Sequence, residues 1–83
     1  MLDLQFSSQA RKFLKNLDDL NWKRITNKIK DLREKPFPQE AKRIKGRKNK
    51  TFRIRVGDFR ILYIVQENLL FISDIDKRGR VYK

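Results

Sequence analysis

The stretch TFRIRVGDFRILYIVQENLLFISDI, residues 51–75, decides the fold. Gly57-Asp58 reads as a two-residue hairpin loop between two runs of alternating apolar residues, and that loop length sets the register. Val56 then faces Phe59, Arg55 faces Arg60 and Ile54 faces Ile61. Side chains alternate along a strand, so Phe52, Ile54, Val56, Phe59, Ile61 and Tyr63 share one face. Arg53, Arg55 and Arg60 share the other. The stretch therefore predicts three strands, Thr51–Val56, Phe59–Val65 and Leu69–Ile75, with the second turn near Glu67-Asn68.

The third strand breaks phase. Leu70 and Ile72 belong to the apolar face, and unbroken alternation would carry Asp74 and Asp76 inward after them. A bulge near Ser73-Asp74 restores Ile75 to the core and turns Arg78 toward the face of Arg53, Arg55 and Arg60.

Upstream lies KRIKGRKNK, residues 42–50, with six Lys/Arg in nine positions and no acid. It reads as a short extended piece followed by a mobile loop. Lys42, Arg43, Lys45, Arg47, Lys48 and Lys50 suit phosphate binding without sequence reading; a merely solubilising loop has the same composition.

At the N-terminus, Leu2, Leu4 and Phe6 alternate with polar residues, predicting a short strand with one buried face. Ser7 is a candidate cap for a helix from Ser8 to about Leu20, whose stripe is Ala10, Phe13, Leu14, Leu17 and Leu20. Asp18, Asp19 and Asn21 interrupt it and can cap a second helix with Trp22, Ile25, Ile29 and Leu32 as its stripe. Pro36 and Pro38 end that helix. Trp22 is assigned to the helix–sheet interface, and the basic outer faces of both helices to solvated surface. The fold class is α+β: a short N-terminal strand, an antiparallel helical hairpin, then a three-stranded antiparallel meander, forming one sheet with the helices on one face. At 83 residues, 1–83 make a single domain.

Composition narrows the function. The net charge is +12, and residues 42–83 hold thirteen Lys/Arg against four acids, while residues 1–41 hold nine against six. One-sided excess of this kind points to a polyanionic partner, nucleic acid first. There is no cysteine and no histidine, which removes disulfides, thiolate metal sites and the commonest general base. Neither a metal nor a cofactor is expected. No membrane span or signal peptide is expected either, and a cytoplasmic address fits.

Ile44-Lys45-Gly46, the block Phe52–Tyr63 and the ending Lys77-Arg78-Gly79-Arg80-Val81-Tyr82 together resemble the RelE/ParE superfamily of toxins, over nearly the whole chain. The cationic ending with its tyrosine is closer to the RelE-like branch. That resemblance implies an mRNA interferase, an endoribonuclease that enters the ribosomal A site, cuts the exposed codon and is neutralised in a hetero-oligomer with a RelB-like antitoxin. It implies catalytic roles for Arg53 and Arg55, at the positions of two basic residues on the first hairpin strand. It implies the same for Arg60 on the next strand and for Arg78 and Tyr82 in the C-terminal segment. Lys77, Arg80 and Lys83 join the basic loop as candidate RNA or ribosome contacts.

Such cleavage needs no protein nucleophile, because the ribose 2′-hydroxyl attacks its own 3′-phosphate. Guanidiniums suit the charge that builds on that phosphate, and Tyr82 suits base stacking or proton transfer. Arginine does not serve as a base at ordinary pH. If the base that the resemblance implies is a lysine at position 53 or 55, this chain lacks it, and Tyr82, Lys77 or an RNA or ribosomal group would have to serve. Alternatively, positioning and charge carry the catalysis, and no residue is assigned as general base. Other readings are a ParE-like gyrase inhibitor, which shares the fold, and a basic RNA- or ribosome-binding module without cleavage. Bare solvated surface explains the arginine face less well, since Arg55 opposite Arg60 is a local cost that an anion would offset.

Overall fold

The computed structural model describes residues 1–47 and 49–77. The chain runs β1 (Asp3–Phe6), α1 (Ser8–Lys15), α2 (Asp19–Glu34), β2 (Lys42–Ile44), β3 (Thr51–Val56), β4 (Phe59–Gln66) and β5 (Leu69–Lys77). The five strands form one sheet in the order β1-β5-β4-β3-β2.

The hairpin register stands as the loop length dictates: Val56 pairs with Phe59, Arg55 with Arg60 and Ile54 with Ile61. Gly57 takes the positive φ of the turn, +59°, a conformation open to glycine at little cost. The second turn places Glu67 at φ +53°. Two additions enlarge the meander. The start of the basic run becomes a true edge strand, β2, antiparallel to β3. The N-terminal strand pairs parallel with β5, Leu4 beside Leu70 and Phe6 beside Ile72, so the sheet is mixed. Parallel pairing requires a crossover, and the two helices supply it.

The bulge falls at Ser73. Tyr63 pairs with Ile72 and Leu62 with Asp74, which leaves Ser73 as the extra residue. Ile75 returns to the core with no exposed surface. Beyond Phe6 the outer edge of β5 has no strand beside it among the described residues, and the start of α1 serves that edge instead. Ser7 Oγ donates to Ser73 O (2.7 Å), and Gln9 both donates to Ile75 O (2.8 Å) and accepts from Ile75 N (3.0 Å). Buried backbone groups without partners cost about 1–3 kcal/mol each, so these two side chains hold the bulge in place.

Ser7 also caps α1, accepting from Ala10 N at 3.1 Å. The helix is shorter than its apolar pattern suggests, ending at Lys15. Asp18 caps α2, accepting from Asn21 N, and these hydrogen bonds from Asn21 hold its carboxyl below the usual range. Leu20 thus belongs to α2, where it is 67% exposed, and Trp22 is 46% exposed rather than buried at the helix–sheet interface. Both sit in the first turns of α2, before the stripe Ile25, Ile29 and Leu32 meets the sheet. As expected, α2 stops before Pro36.

Both helices cover one sheet face. Ala10, Leu14, Ile25, Ile29 and Leu32 pack on Ile54, Val56, Phe59, Ile61, Tyr63, Leu70, Ile72 and Ile75. Truncating a fully enclosed member such as Ile25 to Ala costs about 2–5 kcal/mol. Tyr63 is fully buried, yet its hydroxyl donates to Pro36 O at 2.6 Å, which ties the post-helix segment to the sheet. Burial, then the nearby Glu40 charge, pushes its pKa up to about 12.

Candidate nucleic-acid interface

The sheet face turned away from the helices carries the arginines, and cross-strand pairing sorts them into rungs. At the hairpin end, Arg55 on β3, Arg60 on β4 and Asp76 on β5 lie side by side. The next rung holds Lys42, Arg53, Leu62 and Asp74. The one after holds Ile44, Thr51, Ile64, Phe71 and Gln5. Gln66, Leu69 and the exposed Asp3 finish the face at the second turn, so one carboxylate stands at its β1 edge. The face is therefore charged at one end and apolar with amide groups at the other.

Arg60 is held firmly. Its Nε donates to one Asp76 oxygen (3.2 Å) and its Nη2 to the other (2.9 Å), a two-pronged pair in which the arginine side chain is only 26% exposed. The Ser73 bulge makes this pair by turning Asp74 and Asp76 outward, which alternation alone does not reveal. Asp74 lies 4.0 Å from Arg47 and accepts from Ser73 Oγ. Arg47 thus reaches from the basic loop toward β5. Thr51 (1% exposed) and Leu62 (4%) are buried although they lie on the face away from the core.

Beside β3, Glu40, Lys42, Arg53, Ile54 and Arg55 line an open groove of about 420 Å³. Glu40 brings a carboxylate to this groove and contacts Lys28 at 3.4 Å. Its own backbone N–H, then Lys28, hold its pKa below the usual value, so it is an anion there.

Arg53, Arg55 and Arg60 thus share one surface with Lys42, and Arg47 leans over it. Lys45 and Lys50 are exposed on the loop. Arg43 pairs with Phe52, on the helix side of β2. Lys77 is also on the helix side, with its Nζ 6.0 Å from the Phe59 ring centre. That removes it from the arginine face as a stand-in base. Lys48, Arg78, Arg80, Tyr82 and Lys83 lie outside the described residues, and so does the expected turn of Arg78 toward the arginines.

Chemically, the described rungs offer guanidiniums for phosphate oxygens, with the Lys42 ammonium beside Arg53 and the carboxylates of Asp74 and Asp76 on the same face. Lys42 was visible in the sequence as part of a basic run. Its place beside Arg53 follows only from β2 pairing with β3.

The two-layer α+β fold with its cationic sheet face is shared by small toxins of type II toxin–antitoxin systems, and comparison with known proteins places the chain among them. The family model described as the ParE toxin of the type II toxin-antitoxin system, parDE, matches residues 4–82, and the chain belongs to this RelE/ParE toxin superfamily. Among curated proteins it is 31% identical to a putative toxin RelE1 of Methanocaldococcus jannaschii, over 98% of this chain and 94% of that protein. Among solved structures it resembles the archaeal RelE-RelB complex from Pyrococcus horikoshii OT3, with a TM-score of 0.81 and 25% identity over 95% of this chain and 97% of that one. The RelB-RelE antitoxin-toxin complex from Methanococcus jannaschii gives 0.72 and 27%, over 94% of each chain. The isolated E. coli RelE toxin shares the fold at a TM-score of 0.81 and 20% identity, over 99% of this chain and 92% of that one.

Proposed function

We propose that this toxin is a ribosome-dependent endoribonuclease that cuts mRNA in the A site and so inhibits translation. In this reaction the ribose 2′-oxygen bonds to the adjacent phosphorus, the P–O5′ bond breaks, and a cyclic phosphate and a 5′-hydroxyl are left. The observation that carries the reading is the cluster of guanidiniums on the outer sheet face, with Arg55 directly opposite Arg60. Asp76 holds Arg60 through Nε and Nη2, and a phosphate, which a guanidinium fork also fits, would compete with that carboxylate. Arg55 beside it, and Arg53 with Lys42 one rung away, add positive charge where the pentacoordinate phosphate becomes more negative. Arg78 and Tyr82, at the positions of the family's C-terminal arginine and tyrosine, supply a further guanidinium and a stacking ring. With the nucleophile built into the substrate, positioning and charge carry most of the rate.

A RelB-like antitoxin is the proposed partner. Two of the structures that this chain resembles are complexes with RelB antitoxins, and a chain of net charge +12 suits an acidic partner. Inhibition of gyrase is the second reading, favoured by the parDE description of the matching family.

The two separate in one experiment. Purified toxin is added to programmed ribosomes, to naked mRNA and to a DNA supercoiling reaction. Codon-phased cuts ending in a cyclic phosphate, with ribosomes only, are the expected result. Intact mRNA together with blocked supercoiling would move the function to gyrase.

A further inference from the structure

The apolar end of the outer sheet face is not needed by the arginine chemistry, and it holds a cleft of its own. Gln5, Asn49, Ile64, Gln66, Leu69 and Phe71 line a cleft of about 290 Å³. Its floor is the cross-strand pair Ile64–Phe71, with Gln5 beside Phe71 on β1 and Gln66 paired with Leu69. Asn49 closes the side toward the basic loop. The side-chain amides of Gln5, Asn49 and Gln66 make no hydrogen bond to any described residue. Phe71 covers no part of the core, because the core lies on the opposite face.

We infer that this cleft is a nucleobase subsite for single-stranded RNA that crosses the face from the arginines. The inference rests on the arginine face being an RNA surface. Phe71 offers a ring for stacking, which every base accepts. Carboxamides donate and accept at once, as the edge of an unpaired base requires. Asn49 is embedded between Arg47 and Lys50, so the loop that attracts phosphates also delivers a base-reading group. The floor belongs to β4 and β5, and at Ile64 and Phe71 both edges of each strand are paired, which leaves little for an added peptide strand there but suits a planar ring. Four residues separate Ile64 from Arg60 along β4, roughly 13 Å, a short reach for an extended RNA strand. The cleft would bias which bases sit beside the cut, while the arginines act on the phosphate.

The test compares binding of labelled single-stranded oligoribonucleotides with an abasic strand of equal phosphate count, by fluorescence anisotropy. Wild type should prefer base-bearing strands by about 5- to 100-fold. Phe71→Leu, which keeps the apolar floor, and Phe71→Ala should both erase most of that margin without changing the salt dependence. Gln5→Ala with Gln66→Ala should reorder affinities among homopolymers. If Phe71→Ala unfolds, Phe71→Leu and the glutamine variants decide. No base margin in wild type, or a margin intact in well-folded Phe71→Leu, overturns the subsite. A Phe71-dependent margin without ribosomal cleavage leaves the subsite standing and removes the nuclease reading; cleavage without a margin does the reverse.

Discussion

Replacing Asp76 by asparagine (Asp76→Asn) should make the protein less stable and a tighter RNA binder at once. The carboxamide would keep the shape but lose the charge and one of the two acceptors facing Arg60. The pair is 26% exposed on the arginine side and 43% on the aspartate side. Exposed ion pairs contribute about 0–1 kcal/mol, and two-pronged geometry with partial burial puts this one near the upper end, about 1 kcal/mol. Arg55 directly across from Arg60 then repels it without a neighbouring anion to offset the effect. For a domain of this size, a loss of about 1 kcal/mol lowers the melting temperature by about 4–8 °C. RNA binding should move the other way, since a negative charge leaves the phosphate site. The slope of log affinity against log salt should steepen by up to about 0.7, the share of one extra phosphate contact on a single strand. Thermal denaturation and anisotropy titrations at several salt concentrations read both. Unchanged melting together with unchanged RNA affinity would refute the role given to this pair.

Gln9→Ala should strip the partners from both Ile75 backbone groups and cost about 1–3 kcal/mol; amide hydrogen exchange at Ile75 should accelerate well before global unfolding. Gly57→Ala should cost about 1–2 kcal/mol for its left-handed backbone, since φ is +59° and a Cβ would lie 2.5 Å from Arg24 Nη2. Arg24→Ala in that background should relieve the contact but not the backbone cost, as chemical denaturation of the double variant would reveal. For Tyr63, the pKa raised to about 12 means that the fold favours the protonated phenol. Its contribution is complete below the unfolded value of about 10 and is lost as pH rises through about 12. Tyr63→Phe should lose the hydrogen bond to Pro36 O, cost about 1 kcal/mol at neutral pH, and flatten the alkaline fall in stability across that window.

The legible parts of the fold were those fixed by local geometry. A two-residue loop leaves one register for β3 and β4, and the phase break at Asp74 required an extra residue in β5. Ser7 announced a helix start by residue type. Misread were features that depend on distant neighbours. Apolar spacing placed Leu20 and Trp22 in buried stripes, but the sheet does not extend beneath the first turns of α2, so both face solvent. The run from Lys42 reads as a short extended piece and stands as β2, but nothing in its sequence names Arg53 and Phe52 as its cross-strand partners. The candidate site divides the same way. Arg53, Arg55 and Arg60 were assigned to one face by alternation alone. The clamp of Asp76 on Arg60 and the shift of Lys77 to the helix side both follow from how far β5 continues after the bulge. Phe71 passed for an ordinary strand residue until its neighbours Gln5 and Asn49 arrived from opposite ends of the sheet.

The central claim is that Arg60 acts on the scissile phosphate, and single-turnover cleavage of mRNA on programmed ribosomes tests it most directly. Wild type, Arg60→Ala and, as a control, Arg11→Ala on the exposed surface of α1 would be compared at saturating toxin. The expected result is a rate about 100- to 1,000-fold lower for Arg60→Ala, with Arg11→Ala near wild type and all three melting cooperatively. Equal rates for folded Arg60→Ala and wild type would contradict the claim.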